Sequence, residues 1–269
     1  QLYYKPADLY WDERRLIPMD ATRLSHLMRV EEIAVLPDIV ETLAPPCVVM
    51  VDGQLVMWGL QNEKQDRWGL LARLNDAFTR LRDMRVPIVG YISDTASFEL
   101  VNTLRLYLCP TRPTTCQSCS PFGGGEVALC HHLNGVRDPS ILFRHLEKNE
   151  RSGLFASQAT ILQGYDNAHK IRYFYFNTGD EIARVEVPRW VGEDPDLLEL
   201  VHSVIADQCH RTGRMPPYPP VLHEAHEAAV ISTADRLNLQ LLIEQQLQKH
   251  GSFTDFQPAK TFHKRLRGV

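Results

Sequence analysis

Asp52 follows an apolar run, Pro46-Cys47-Val48-Val49-Met50-Val51, and is itself followed by Gly53 and Gln54. Such a run, rich in β-branched residues, predicts a fully buried strand ending on one carboxylate. A buried carboxylate is costly unless it is paired, and a metal ion is a common partner. The plainer alternative is a turn-forming Asp before Gly. Asp94, in Ser93-Asp94-Thr95, and Asp138, in Arg137-Asp138-Pro139, stand where strands end or helices begin. Each is either a further carboxylate of a site or a helix cap. His223 and His226, flanked by Glu224 and Glu227, have helical spacing for metal ligation, with capping or surface roles as the competing account.

Sulfur is concentrated in one place. Of the six cysteines, Cys109, Cys116, Cys119 and Cys130 fall within 22 residues, spaced C-x6-C-x2-C-x10-C, with His131 and His132 adjoining. Four soft ligands with two histidines as alternates suit a tetrahedral structural zinc; reduced thiols in a loop are the alternative. Clustering favours a metal over a disulfide scaffold, because a chain of this length needs no staples. The Gly123-Gly124-Gly125 run lacks a Walker lysine and a following Ser or Thr, which argues against a phosphate loop.

These groups need elements to hold them. Leu55 to Leu60 is a second apolar run, so with Gly53-Gln54 at the turn it predicts a hairpin partner for the strand before Asp52. Asp20 to Leu43 has helical spacing with caps at Asp20 and Asp38. Trp68, Leu71, Leu74, Phe78 and Leu81 predict an amphipathic helix over the sheet. Val86 to Ile92 reads as a strand, with Ser93-Asp94-Thr95 capping a helix that carries Phe98, Val101, Leu104 and Leu108. Asp138 is placed to cap a helix with Ile141, Leu142 and Leu146. Lys170–Asn177 and Glu181–Val187 read as strands joined at Asn177-Thr178-Gly179-Asp180. Alternation in the second puts Arg184 and Glu186 on one face, turned to solvent or to a polar cleft. Pro195 to Arg211 is a helix, and the proline-rich Met215–Pro220 leads into another from about Val221 to Lys249.

With 269 residues and 44% hydrophobic content the chain sustains a sizeable core. No stretch reaches the roughly 20 apolar residues of a membrane span, so no membrane partner is expected. The chain begins with Gln rather than Met and shows no secretory signal pattern, so the expected location is cytoplasmic. A formal charge of −4 argues against capture of nucleic acid by bulk electrostatics. The expected division is a helical lead-in over 1–45, a main domain over 46–250 with the Cys-rich insert at 109–137, and a basic tail over 251–269 carrying Lys260, Lys264, Arg265 and Arg267.

In order, several short stretches resemble the NurA family of DNA-end-processing nucleases. They are Val51-Asp52-Gly53 after an apolar strand, Val89-Gly90-Tyr91-Ile92 ahead of a helix, Asp138 opening Arg-Asp-Pro-Ser-Ile-Leu-Phe, Ile182 to Trp190, and Tyr218-Pro-Pro-Val-Leu-His-Glu-Ala-His226. The resemblance implies an α/β, RNase H-like mixed sheet flanked by helices. It also implies Mn²⁺ (or Mg²⁺) dependence, action on single- and double-stranded DNA, a homodimer, and docking on a HerA-type hexameric ATPase. Carried over by position, Asp52 and Asp138 are similar to the metal carboxylates, and Tyr218 and His226 to the tyrosine and histidine of the last motif, with His226 a ligand or proton shuttle. A further acidic residue is implied, for which Asp94, Glu99 and Glu126 are candidates, Asp94 first because it follows a predicted strand. Two ions about 3.5–4 Å apart would activate water and stabilise the leaving oxygen. Arg184 is expected either to contact DNA or to scaffold the sheet. A catalytically inactive, DNA-binding adaptor of the ATPase is the alternative function. Two departures from the family are Gln54, where serine is usual, and the Cys-rich insert.

Overall fold

The computed structural model describes residues 10–12, 17–61, 69–111, 114, 116, 128–211 and 217–249. Cys119, Glu126, Trp68, the triple glycine and the basic tail lie outside them. The chain falls into two compact units, Gln1–His223 and Glu224–Val269.

In the first unit, β1 (Tyr10–Asp12) and β2 (Ile17–Pro18) form a small antiparallel pair. Helix α1 (Ala21–Ala34) is capped by Asp20, whose carboxylate accepts from the Arg23 amide, as the spacing predicts. Asp38, expected to be a cap, instead lies inside the short α2 (Leu36–Val40). There it and Glu41 accept from Arg80, at 2.6 and 2.7 Å, tying the lead-in to α3 (Leu70–Asp83). Leu70, Leu74, Ala77, Phe78 and Leu81 form the buried stripe of α3, close to the predicted one.

The main sheet has five strands in the order β3-β4-β7-β6-β5. They are β3 (Val49–Asp52), β4 (Ile88–Ile92), β5 (Phe155–Ala156), β6 (Ile171–Asn177) and β7 (Ile182–Pro188). Strands β3 and β4 run parallel; β4 with β7, β7 with β6 and β6 with β5 are antiparallel. The β6–β7 hairpin forms as its alternation predicts. One face, with Val49, Val51, Ile88 and Ile171, packs under the α1–α3 layer. The other, with Val89, Tyr91, Phe174, Phe176, Val185 and Val187, packs against α6 (Arg189–Gly192) and α7 (Pro195–Arg211). Helices α4 (Glu99–Tyr107) and α5 (Asp138–Leu142) flank the sheet beside Tyr173, Tyr175 and Ile182.

Three expectations are corrected here. The run from Leu55 to Leu60 is not a hairpin strand: Leu55, Val56, Met57 and Leu60 are buried, it ends in a 3-10 turn at Trp58–Leu60 with Trp58 exposed, and β3 pairs with β4 instead, as the edge strand of the described sheet. Ser93-Asp94-Thr95 does not cap α4: its N-cap residue, Phe98, makes no side-chain cap, and Ser97 Oγ accepts from the Glu99 amide at 3.4 Å. The long C-terminal helix is two, α8 (Pro220–Ala229) and α9 (Thr233–Lys249), with Ser232 capping α9 by accepting from the Asp235 amide at 3.1 Å. Consecutive β-branched Val230 and Ile231 before a serine cap make a weak place to continue a helix.

Candidate active site at the end of the parallel strands

The β3–β4 pair ends at Asp52 and Ile92, and β7, running the opposite way, begins at the same end of the sheet. Asp52, Asp94 and Glu181 are therefore brought to one end of the sheet by three neighbouring strands. The carboxyl ends of parallel strands are a common place for a site in α/β sheets.

Asp52 is exposed rather than buried. Tyr218, from the proline-rich segment, donates its hydroxyl to Asp52 Oδ1 at 3.0 Å, and the Tyr218 ring meets the Tyr91 ring edge-on at a centroid distance of 5.7 Å. Burial, and then the Asp52 carboxylate, push the Tyr218 hydroxyl well above its ordinary range, so it stays protonated and donates at neutral pH. No hydrogen bond to the second oxygen of Asp52 occurs among the described residues.

The backbone after Asp52 is held by side chains where a hairpin would have used a second strand. Gly53 adopts φ +114° and turns the chain back across β4. A Cβ on Gly90 would lie 2.5 Å from the Gly53 carbonyl oxygen, so only glycine fits beneath this turn. Glu186 Oε2 accepts from the amides of Leu55 and Val56, at 2.8 and 3.2 Å. Tyr165 donates to the Leu55 carbonyl and accepts from the Met57 amide. Arg29 donates to the carbonyls of Asp52 and Gln54 at 3.0 and 3.2 Å. Every one of these partners is distant in sequence, and none except Glu186 left a trace in the pattern.

On the Glu186 face of the sheet lies a cleft of about 450 Å³ lined by Gln54, Asp94, Ser97, Glu99, Arg184 and Glu186 among others. Arg184, 4% exposed, donates to Glu99 at 2.9 Å and to Glu186 at 3.0 Å, and its guanidinium lies 3.8 Å over the Tyr173 ring. Burial works against its charge, but Glu186 and Glu99 outweigh this and raise its pKa. Arg184 thereby ties Glu99 to Glu186 along one wall of the cleft. Burial raises the Glu186 carboxyl above the ordinary range, with Arg184 and the two amides opposing.

Asp138 has 0% exposure, and its carboxylate is fully engaged. Its Oδ1 accepts from the Val101 amide at 2.8 Å; Oδ2 accepts from the Leu100 amide at 3.1 Å, from Ser97 Oγ at 2.9 Å and from the Tyr175 hydroxyl. It thus caps α4 from outside that helix, which explains why the expected local cap is missing. Asp94 has φ +42°, a left-handed conformation uncommon for a non-glycine residue, and is exposed. Glu181 is raised by burial, with the Asp94 amide opposing, and had not been singled out in the sequence.

His226 lies exposed on α8, in the second unit. Among the described residues no three His, Cys, Asp or Glu side chains converge closely enough to hold a metal ion.

A family model described as the NurA domain matches residues 11–231. The chain belongs to the NurA family. The matched NurA span takes in Asp52, Asp94, Asp138, Tyr218 and His226 together. The crystal structure of the NurA nuclease from Sulfolobus solfataricus is similar to this chain at TM-score 0.50 and 16% identity, over 90% of this chain and 72% of that one. At that identity the likeness speaks for a shared NurA fold, here a mixed five-stranded sheet with helices. No curated protein matches the chain. No helix among the described residues is long and apolar enough to cross a membrane.

Proposed function

We propose that this NurA chain is a divalent-metal-dependent DNA nuclease acting at DNA ends, with 46–250 as its RNase H-like nuclease body. The observation that carries the reading is Asp52 itself. It is an exposed carboxylate at the end of a parallel strand, with one oxygen held by Tyr218 and a backbone locked on both sides. Membership of the family supports the nuclease class.

A hard cation such as Mn²⁺ or Mg²⁺ is often held by only one or two carboxylates, with water and substrate phosphate completing its shell. Asp52 fits that donor set, and Asp94, at the same end of the sheet, is the further ligand we propose. Such an ion, when bound, would activate water and stabilise the leaving oxygen. Tyr218 would fix the orientation of Asp52, leaving its free oxygen toward the substrate. Asp138 we assign to positioning, through α4, since ligating a metal would require it to give up four donors. A homodimer docked on a HerA-type hexameric ATPase is the proposed working state.

One observation favours the alternative, an inactive adaptor of that ATPase: the described residues do not assemble three metal ligands. Incubating the purified protein with linear duplex and single-stranded DNA, in Mn²⁺ or in EDTA, separates the two. Metal-dependent degradation supports the nuclease; intact DNA in every condition, with and without the ATPase, supports the adaptor.

A further inference from the structure

We propose that Cys109, Cys116, Cys130 and His131 form a zinc site that fastens the insert between α4 and α5. The four side chains line a single cavity of about 360 Å³ at the C-terminal end of α4. None of the three cysteines is in a disulfide. Cys109 follows directly on α4, while Cys130 and His131 sit in the 3-10 turn Leu129–Leu133, which packs against α4. Two sides of the cavity are therefore fixed by ordered backbone, and Cys116 faces it from the intervening loop.

Three sulfurs and one imidazole are a common tetrahedral zinc set. A second, independent feature points to an anionic centre. Arg105 lines the same cavity, and its Nε is buried without a hydrogen-bond partner among the described residues. A zinc-bound thiolate is the acceptor that this donor lacks, and the guanidinium offsets the net negative charge of a three-thiolate site. On binding, each of the three thiols releases its proton to solvent and the neutral imidazole gives a lone pair, so affinity falls with falling pH. The side chains stand too far apart to hold an ion as they are placed. Zinc would draw them inward against the end of α4.

The test is metal analysis of the full-length protein, which is independent of any nuclease activity. The wild type is expected to carry about one zinc per chain. Cys109→Ser, Cys130→Ser and His131→Ala should lose it, while Cys47→Ser retains it. Wild-type protein purified without chelator that holds no zinc, takes up none when zinc is added, and has freely titrating thiols overturns the proposal whatever the variants do. Iron with visible absorbance in place of zinc overturns it in favour of an iron–sulfur centre. Zinc lost in Cys119→Ser and kept in His131→Ala overturns the assignment of His131 as the fourth ligand.

Discussion

At the scale of single residues, the two aspartates paired by the family resemblance stand in different surroundings, Asp52 exposed and Asp138 buried, and mutation should separate them. Asp138→Ala strands two helix amides and two hydroxyls, each costing about 1–3 kcal/mol when buried and unpaired, so a loss of stability of at least about 3 kcal/mol is expected. Chemical denaturation measures it; a neutral result would return Asp138 to the ligand set. Tyr218→Phe keeps the ring against Tyr91 and removes only the hydrogen bond to an exposed carboxylate. Stability should change by less than about 1 kcal/mol, while nuclease rate falls by about tenfold or more. An unchanged rate would show that Asp52 needs no orientation. The place of Asp52 at the end of a strand was legible because strand, carboxylate and glycine are adjacent in sequence. The task of Asp138 was not, because its donors lie some forty residues before it and after it.

At the scale of elements, the site depends on one turn crossing one strand. Gly90→Ala drives a Cβ into the Gly53 carbonyl, an overpacking expected to cost about 1–3 kcal/mol and to lower activity by moving Asp52. Thermal melting and a rate measurement on the same sample check both effects. The hairpin expected after Asp52 failed for a physical reason. Asp-Gly between two apolar runs is a good hairpin signal, but here the second run finds its partners in Glu186 and Tyr165, Arg29 holds the turn before it, and β3 finds its own partner in β4. The β6–β7 hairpin was legible because alternation and turn are both local. A parallel neighbour reached through α3 leaves no local mark.

His169 gives this layer a pH dependence. It is 1% exposed, within 3.4 Å of Asn75 and Thr79 on α3, and edge-on to Phe78. Burial lowers its pKa, with Asp166 and Asp83 opposing and Arg82 assisting. A lowered folded-state value means the neutral ring stabilises the fold above the unfolded value of about 6.5, a contribution lost as pH falls. Melting temperature should therefore drop between about pH 7 and pH 5 in the wild type, and drop less in His169→Gln. Equal slopes would remove His169 from the account.

At the scale of the whole molecule, a formal charge of −4 leaves little general attraction for DNA. The chain alone should bind weakly, with a shallow dependence on salt, since that slope counts neutralised phosphates. Adding the ATPase should raise affinity for DNA ends, and fluorescence anisotropy across salt concentrations would show it. Tight, steeply salt-dependent binding by the chain alone would point to an unrecognised basic surface. The four longer strands of the sheet and helices α1, α3, α4 and α7 could be read from hydrophobic periodicity; the α/β class was what the resemblance to the NurA family implied. The placement of Asp52, Asp94 and Glu181 at one end of the sheet required the strand order, which no periodicity encodes.

The most direct test of the central claim is degradation of linear DNA in Mn²⁺ by Asp52→Asn compared with the wild type. The substitution keeps the size of an exposed side chain and its place beside Tyr218, so the melting temperature should hold within a few degrees. The account predicts that nuclease activity falls at least about a hundredfold, the loss of about 2.7 kcal/mol of transition-state stabilisation. Wild-type activity in a folded Asp52→Asn protein would contradict it.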